Sequence, residues 1–144
     1  MREPSVVRLV ARRNIVQRGF MIEKKTLFER IGGDEAVRAT VARLYGKILA
    51  DATLIKFFAG IDVDRLRRSQ AAFVAYAFGS PDAGSPVNLR RAHQRLVAEG
   101  LSDLHFDKVA QHLHDAMQDL GVPAGEIAEA LAIVETTRAE VLNR

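Results

Sequence analysis

Cysteine and tryptophan are absent from this chain of 144 residues, and aromatic side chains make up only 6% of it. Without cysteine there is no disulfide framework, no thiolate metal site and no thiolate bond to iron, which leaves His, Tyr or Met as any axial protein ligand. No apolar run approaches the roughly 20 residues that span a bilayer, so no transmembrane segment is expected. A net excess of positive charge is also nearly missing, at +3 formally, and that small excess is concentrated in one place. Residues 1–20 carry Arg2, Arg8, Arg12, Arg13 and Arg18 against Glu3 alone, while residues 21–144 hold 16 basic and 17 acidic residues. A nucleic-acid-binding body would cluster its basic residues on a folded surface, often with aromatic groups between them, and this composition argues against that role. What the chain does have is apolar residues, at 48% of the total. That is enough for one sizeable core and too short a chain for two.

Residues 1–25 read as a basic N-terminal extension, disordered or partly helical, with no secretory signal pattern. Its arginines and short apolar pieces are compatible with weak contact to a membrane surface. Translation from Met21 would remove most of it. From residue 26 to residue 144 the pattern is that of one all-α domain. Val37, Val41, Leu44, Tyr45 and Ile48 recur at helical spacing after Gly32, Gly33 and Asp34, which predicts a helix over roughly 35–50. A second stripe, Leu66, Gln70, Phe73, Val74 and Ala77, starts near Asp62 and stops at Gly79, Ser80 and Pro81. A third helix opens at Ser102 or Asp103 and runs through Phe106, Val109, Ala110, Leu113, Met117 and Leu120 to Gly121. Pro123 starts a fourth, carrying Ile127, Leu131, Val134 and Leu142. Between the second and third lies PDAGSPVNLRRAHQRLVAEG, with a short helical piece around Leu89 to Leu96. A connection of that length in a compact domain is usually functional or disordered.

His93 lies in this connection. Leu89 and Leu96 flank it at i−4 and i+3, so its imidazole shares the inward face rather than the charged face of Arg90, Arg91 and Arg95. With no acidic residue nearby in sequence, an inward histidine needs a backbone partner or a metal. Phe57 and Phe58 either close a corner of the core or wall a flat cofactor. Tyr45 and Gln70 are hydrogen-bonding groups on otherwise apolar stripes, so each requires a partner, either the other or a ligand. His105, His112 and His114 lack the spacing of a metal site and read as exposed histidines.

Taken together, the ordered motifs resemble the group I truncated hemoglobins. The resemblance covers nearly all of the chain from Thr26 to Leu142. It rests on TLFERIGG, VARLYGKILAD, LIKFFAGIDVDRLRRSQAAFVAYAFG, LRRAHQRL, GLSDLHFDKVAQHL and DLGVPAGEIAEALAIV. It implies a two-over-two helical sandwich around heme b, with His93 as the proximal iron ligand and Phe58 packed on the porphyrin. Tyr45 falls on the family's distal tyrosine. Leu66 and Gln70 fall on the distal helix, with Phe73 one turn further on, and Leu89 and Leu96 flank the heme beside His93. Ser69 stands where some relatives carry a histidine that ligates the distal side, which implies a five-coordinate iron. Thr137 stands where a histidine in some members bonds the heme vinyl group, which implies non-covalent heme. The chain departs from the family at Gly79-Ser80, at Gly84-Ser85-Pro86 and at Val74, where a tunnel-gating phenylalanine is frequent.

The pocket so implied binds dioxygen, nitric oxide and carbon monoxide. Tyr45 and Gln70 would donate hydrogen bonds to the gas in a site kept dry by Leu66, Phe58 and Phe73, and slow oxygen release follows. That combination resembles truncated hemoglobins that convert nitric oxide and dioxygen to nitrate, a cytoplasmic activity needing an electron-donating reductase. A non-enzymatic oxygen-binding, storage or gas-sensing globin would use the same residues. A cofactor-free helical interaction domain, with His93 and Tyr45 as ordinary core residues, is the third class.

Overall fold

The computed structural model describes residues 25–84 and 87–144. The readings made for residues 1–24, and for Ser85 and Pro86, lie outside the described residues. The described elements are α1 (Leu27–Ile31), α2 (Gly33–Leu49), a 3-10 turn (Ile55–Phe58), α3 (Val63–Ala77), α4 (Leu89–Ala98), α5 (Asp103–Asp119), α6 (Ala124–Glu135) and α7 (Arg138–Val141). There is no strand among the described residues. None of the described helices is long and apolar enough to cross a membrane.

The apolar stripe of α2 is the centre of the molecule. Val37, Val41, Leu44, Tyr45 and Ile48 are all buried, as their spacing predicts. They pack α2 against both α3 and α5, and α5 packs in turn on α6. Two helix pairs, α2 with α3 and α5 with α6, are therefore joined where α2 meets α5. Met117 and Ala116 of α5 and Ala130 of α6 are fully buried in this junction. Leu120, expected on the α5 stripe, is exposed instead, because it is the C-cap of a helix that ends at Asp119.

Three local features went beyond the periodicity. Thr26 and Glu29 form a reciprocal capping box that starts the five-residue α1, an element too short for an apolar stripe to reveal. The helix expected from Pro123 through Leu142 breaks in two. At the break, the hydroxyls of Thr136 and Thr137 donate to the carbonyls of Ile133 and Val134 at 2.6 and 2.7 Å. Such back-bonding competes with the helical ladder and bends or ends the helix. The third feature is α4. Asn88 caps it, its side chain accepting from the Arg91 N–H at 3.0 Å, and it runs two residues past the predicted piece.

Gly79 closes α3 with a left-handed φ of 97°, and the Ser80 N–H reaches back to the Ala75 carbonyl at 2.9 Å. The glycine here, followed by serine rather than a second glycine, supplies the turn. A Cβ at position 79 would sit 2.9 Å from the Thr26 side chain. Next to it, the Phe28 N–H donates to the Phe78 carbonyl at 2.8 Å, tying α1 to the end of α3. Gly79→Ala combines a left-handed backbone with a steric contact, and we expect it to lower stability by about 1–3 kcal/mol, read as a fall in the urea unfolding midpoint.

Candidate functional site

α4 is amphipathic yet contributes no buried residue. Leu89, His93, Leu96 and Val97 line one face of it and are all half-buried, while Arg90, Arg91 and Arg95 are exposed. α3 repeats the pattern. Leu66, Gln70, Phe73 and Ala77 form a half-buried stripe, and only Val74 and Ala75 are buried outright. Val74, at the position noted for gating, belongs to the core rather than to this stripe. Two helices thus each present a face that the rest of the chain covers only partly.

On α4 the His93 Nδ1 lies 2.8 Å from the Leu89 carbonyl oxygen. A carbonyl only accepts, so Nδ1 carries the hydrogen and donates it, which leaves Nε2 with its lone pair. Among the described residues Nε2 has no hydrogen-bond partner. On α2, Tyr45 is only 5% exposed, and its hydroxyl likewise meets no protein donor or acceptor among the described residues. Burial alone pushes the phenol up to about 12, so it remains a protonated donor at neutral pH. Its ring meets Phe58 edge to face, with centroids 6.0 Å apart. The mutual Tyr45–Gln70 hydrogen bond, one of the options open at the sequence level, does not form.

Phe57 and Phe58 separate in role. Phe57 is buried and packs edge to face on His105 at 4.9 Å, so it closes the core corner, whereas Phe58 stays half-buried beside Tyr45. A cleft of about 360 Å³ lies nearby, with Phe73, Tyr76 and Ala77 of α3 on one side and Leu89, Ile133 and Thr137 among its other walls. It brings Phe73 and Leu89 together and does not include His93, Tyr45, Phe58, Leu66, Gln70 or Leu96. Tyr76, Ile133 and Thr136 are wall residues that the sequence reading did not pick out. Tyr76 is 45% exposed, and an aromatic this open on a helix next to a cleft is a signal that burial, not spacing, reveals.

The model of the bacterial-like globin family matches residues 26–143. A group 1 truncated hemoglobin of Chlamydomonas moewusii is 44% identical over 82% of this chain and 68% of its own length. A group 1 truncated hemoglobin of Synechocystis is 38% identical over 83% of this chain and 98% of its own. The chain belongs to the group 1 truncated hemoglobins of the bacterial-like globin family. Among solved structures, the 2/2 hemoglobin of Synechococcus sp. PCC 7002, with covalently attached heme, superposes with a TM-score of 0.79 at 40% identity, covering 83% of this chain and all of that one. The ferric truncated hemoglobin of Tetrahymena pyriformis gives 0.76 at 33% identity, over 82% of this chain and 98% of that one.

A globin of this family binds heme, and three features of this chain fit that group. The first is the free Nε2 of His93, whose other nitrogen is held by a backbone carbonyl. This is the usual arrangement for a metal-binding imidazole. The second is the pair of half-covered apolar faces on α3 and α4, which suit a flat hydrophobic ligand. The third is the buried Tyr45 hydroxyl, an orphaned donor that a bound gas would satisfy.

The remaining histidines of this globin do not read as expected. His105 is buried at 9% exposure, and its Nδ1 accepts from the Ser102 N–H at 3.0 Å to cap α5. His112 is partly buried, with Nε2 2.7 Å from the Asp51 carboxylate, and His114 pairs with Asp115 at 2.9 Å. Sequence spacing could not show the His112 pairing, because Asp51 lies 61 residues away. Asp51 also accepts from the Thr53 N–H and pairs with Lys108 at 3.3 Å. The His112 hydrogen bond, followed by those from Thr53 and Lys108, holds the Asp51 carboxyl well below the ordinary carboxylate range. The stabilisation is complete above a pH of about 4, the unfolded carboxylate's range, and is lost progressively as pH falls below it. In acid titrations followed by circular dichroism, Asp51→Asn is expected to unfold with a shallower pH dependence below about 4 than the parent. An unchanged acid limb would show that the Asp51 pairing carries no such linkage.

Proposed function

We propose that this globin holds a non-covalent heme b through His93 and binds dioxygen, nitric oxide and carbon monoxide at a five-coordinate iron. We further propose that it converts nitric oxide and dioxygen to nitrate in the cytoplasm, with electrons from a reductase. The observation that carries the reading is the Nδ1 donation from His93 to the Leu89 carbonyl at 2.8 Å. It orients the ring, makes it a better electron donor, and leaves Nε2 as the ligating atom. The heme supplies gas binding and the oxidation chemistry, and the protein supplies orientation, dryness and hydrogen bonds.

Tyr45 is placed to donate its phenolic hydrogen to the bound gas, and a phenol raised to about 12 keeps that hydrogen throughout the physiological range. Gln70, half-buried on α3, offers amide hydrogens that no proton equilibrium removes. In a low-dielectric pocket walled by Leu66, Phe58 and Phe73, such donors are stronger than in water and favour slow oxygen release. Tight retention suits chemistry on oxygen better than its delivery. Exposed Ser69, at the distal position that carries a histidine in some relatives, offers no imidazole to the iron. Thr137 supports non-covalent attachment, because its hydroxyl is already committed to the Val134 carbonyl and it has no imidazole to bond a vinyl group.

The test is stopped-flow mixing of the oxygenated protein with nitric oxide, followed by re-reduction with a reductase. Stoichiometric nitrate over repeated cycles is expected. Oxygen binding without nitrate formation or recycling would leave an oxygen carrier or gas sensor instead, and a colourless chain that takes up no hemin would overturn the heme reading itself.

A further inference from the structure

α4 carries His93, yet it has no buried side chain, and the helix it packs on most is the four-residue α7 near the C-terminus. Its position is therefore not set by core packing. Two hydrogen bonds cross this contact in opposite directions. The Asn143 side-chain amide donates to the Arg90 carbonyl at 3.0 Å, and the Arg90 guanidinium donates to the Arg144 carbonyl at 3.2 Å. Asn143 adopts a left-handed φ of 58°, and no other described non-glycine residue has a positive φ. Asparagine tolerates that region better than most side chains. The turn aims its amide at the Arg90 carbonyl, one residue on from the Leu89 carbonyl that accepts from His93 Nδ1.

The C-terminal residues are themselves anchored. Both terminal guanidinium nitrogens of Arg144 reach Asp103 of α5, at 2.8 and 2.9 Å. Arg138 reaches the same carboxylate at 2.9 Å and lies over the Phe106 ring at 4.4 Å. Beneath them Leu142 is buried. The chain of contacts runs from the start of α5, through the C-terminus, to the first turn of α4.

We infer that Asn143 is a positioning residue, which with Arg144 clasps the first turn of α4 and so fixes the direction from which His93 Nε2 approaches its ligand. This rests on the reading of His93 as the iron ligand. Without the clasp α4 keeps its helix and loses its registration, because nothing in the core replaces it. Asn143→Gly keeps the left-handed turn and removes the donor, and Asn143→Asp replaces the donor with an acceptor.

The experiment measures hydrogen exchange of the α4 amides in the heme-free full chain and the ferrous iron–histidine stretching band in the hemin-loaded chain. Loss of the bond is expected to raise α4 exchange about three- to tenfold while α2 and α5 are unchanged, and to shift the stretching band with the Soret spectrum retained. Unchanged α4 exchange and an unshifted band in both variants would overturn the inference. If either variant fails to fold by circular dichroism, Arg90→Ala, which removes the reciprocal bond, decides by the same two measurements. If the band survives His93→Gly, the heme-ligand reading has failed, and the exchange data still decide whether the clasp exists.

Discussion

His93→Gly is expected to remove the heme absorption spectrum of the ferrous and carbonmonoxy protein, and added imidazole is expected to restore it. The two ring nitrogens of His93 differ in their partners. Nδ1 is committed to the Leu89 carbonyl at 2.8 Å, so only Nε2 is free to ligate. Removing the ring leaves the iron without its protein ligand and leaves an imidazole-sized space on a face where Leu89, Leu96 and Val97 are only half-covered. Soluble imidazole can occupy that space, and the rescued spectrum would then match the parent's. The substitution also removes a helix former from α4, at a cost of about 1 kcal/mol, so circular dichroism must show the fold intact. Spectra of His93→Gly that match the parent's without imidazole would sink the assignment and direct attention to Tyr45 as the ligand.

Tyr45→Phe should have opposite effects on the heme-free and oxygenated proteins. The hydroxyl is buried and meets no partner among the described residues, so its removal relieves an unsatisfied group, and the heme-free protein is expected to gain up to about 1 kcal/mol in urea unfolding. In the oxygenated protein, on the proposed reading, the same hydroxyl would donate to a partially charged ligand in a dry site. A bond of that kind contributes about 1.5–3 kcal/mol, so oxygen dissociation should accelerate roughly 10- to 150-fold. The phenol stays protonated up to about pH 12, so the parent's slow release should be flat from acid to mildly alkaline pH. A tyrosine that serves only as core packing would behave differently. Its replacement would leave oxygen release unchanged, and that result would remove Tyr45 from the distal site.

On the proposed reading, retention of gas and positioning of the iron ligand would fall to different parts of the molecule. Tyr45 sits on α2, in the best-buried stripe of the fold, where its orientation is set by core packing. His93 sits on α4, which is held by Asn143, Arg90 and Arg144 at the surface. Substitutions near the C-terminus should therefore change the iron–histidine signature and spare the distal hydrogen bond, and substitutions in the α2 core should do the reverse.

Sequence alone determined the long helices, because each carries an apolar stripe along one face. Val37 through Ile48, Phe106 through Met117, and Ile127 with Ala130 are core because helical geometry leaves their apolar side chains one face to occupy. It also marked His93, Tyr45 and Gln70, as hydrogen-bonding groups on otherwise apolar stripes, and Phe58, as one of an aromatic pair at a corner. Only the tertiary structure decided what depends on partners far apart in the chain or on the choice between equivalent hydrogen bonds. It turned His105 into a buried cap and paired His112 with Asp51. It broke the last helix at Thr136 and Thr137. It also left the half-covered faces of α3 and α4 beside a cleft. Periodicity is a local property and states which side of a helix is apolar. What that side meets is settled only when the helices come together.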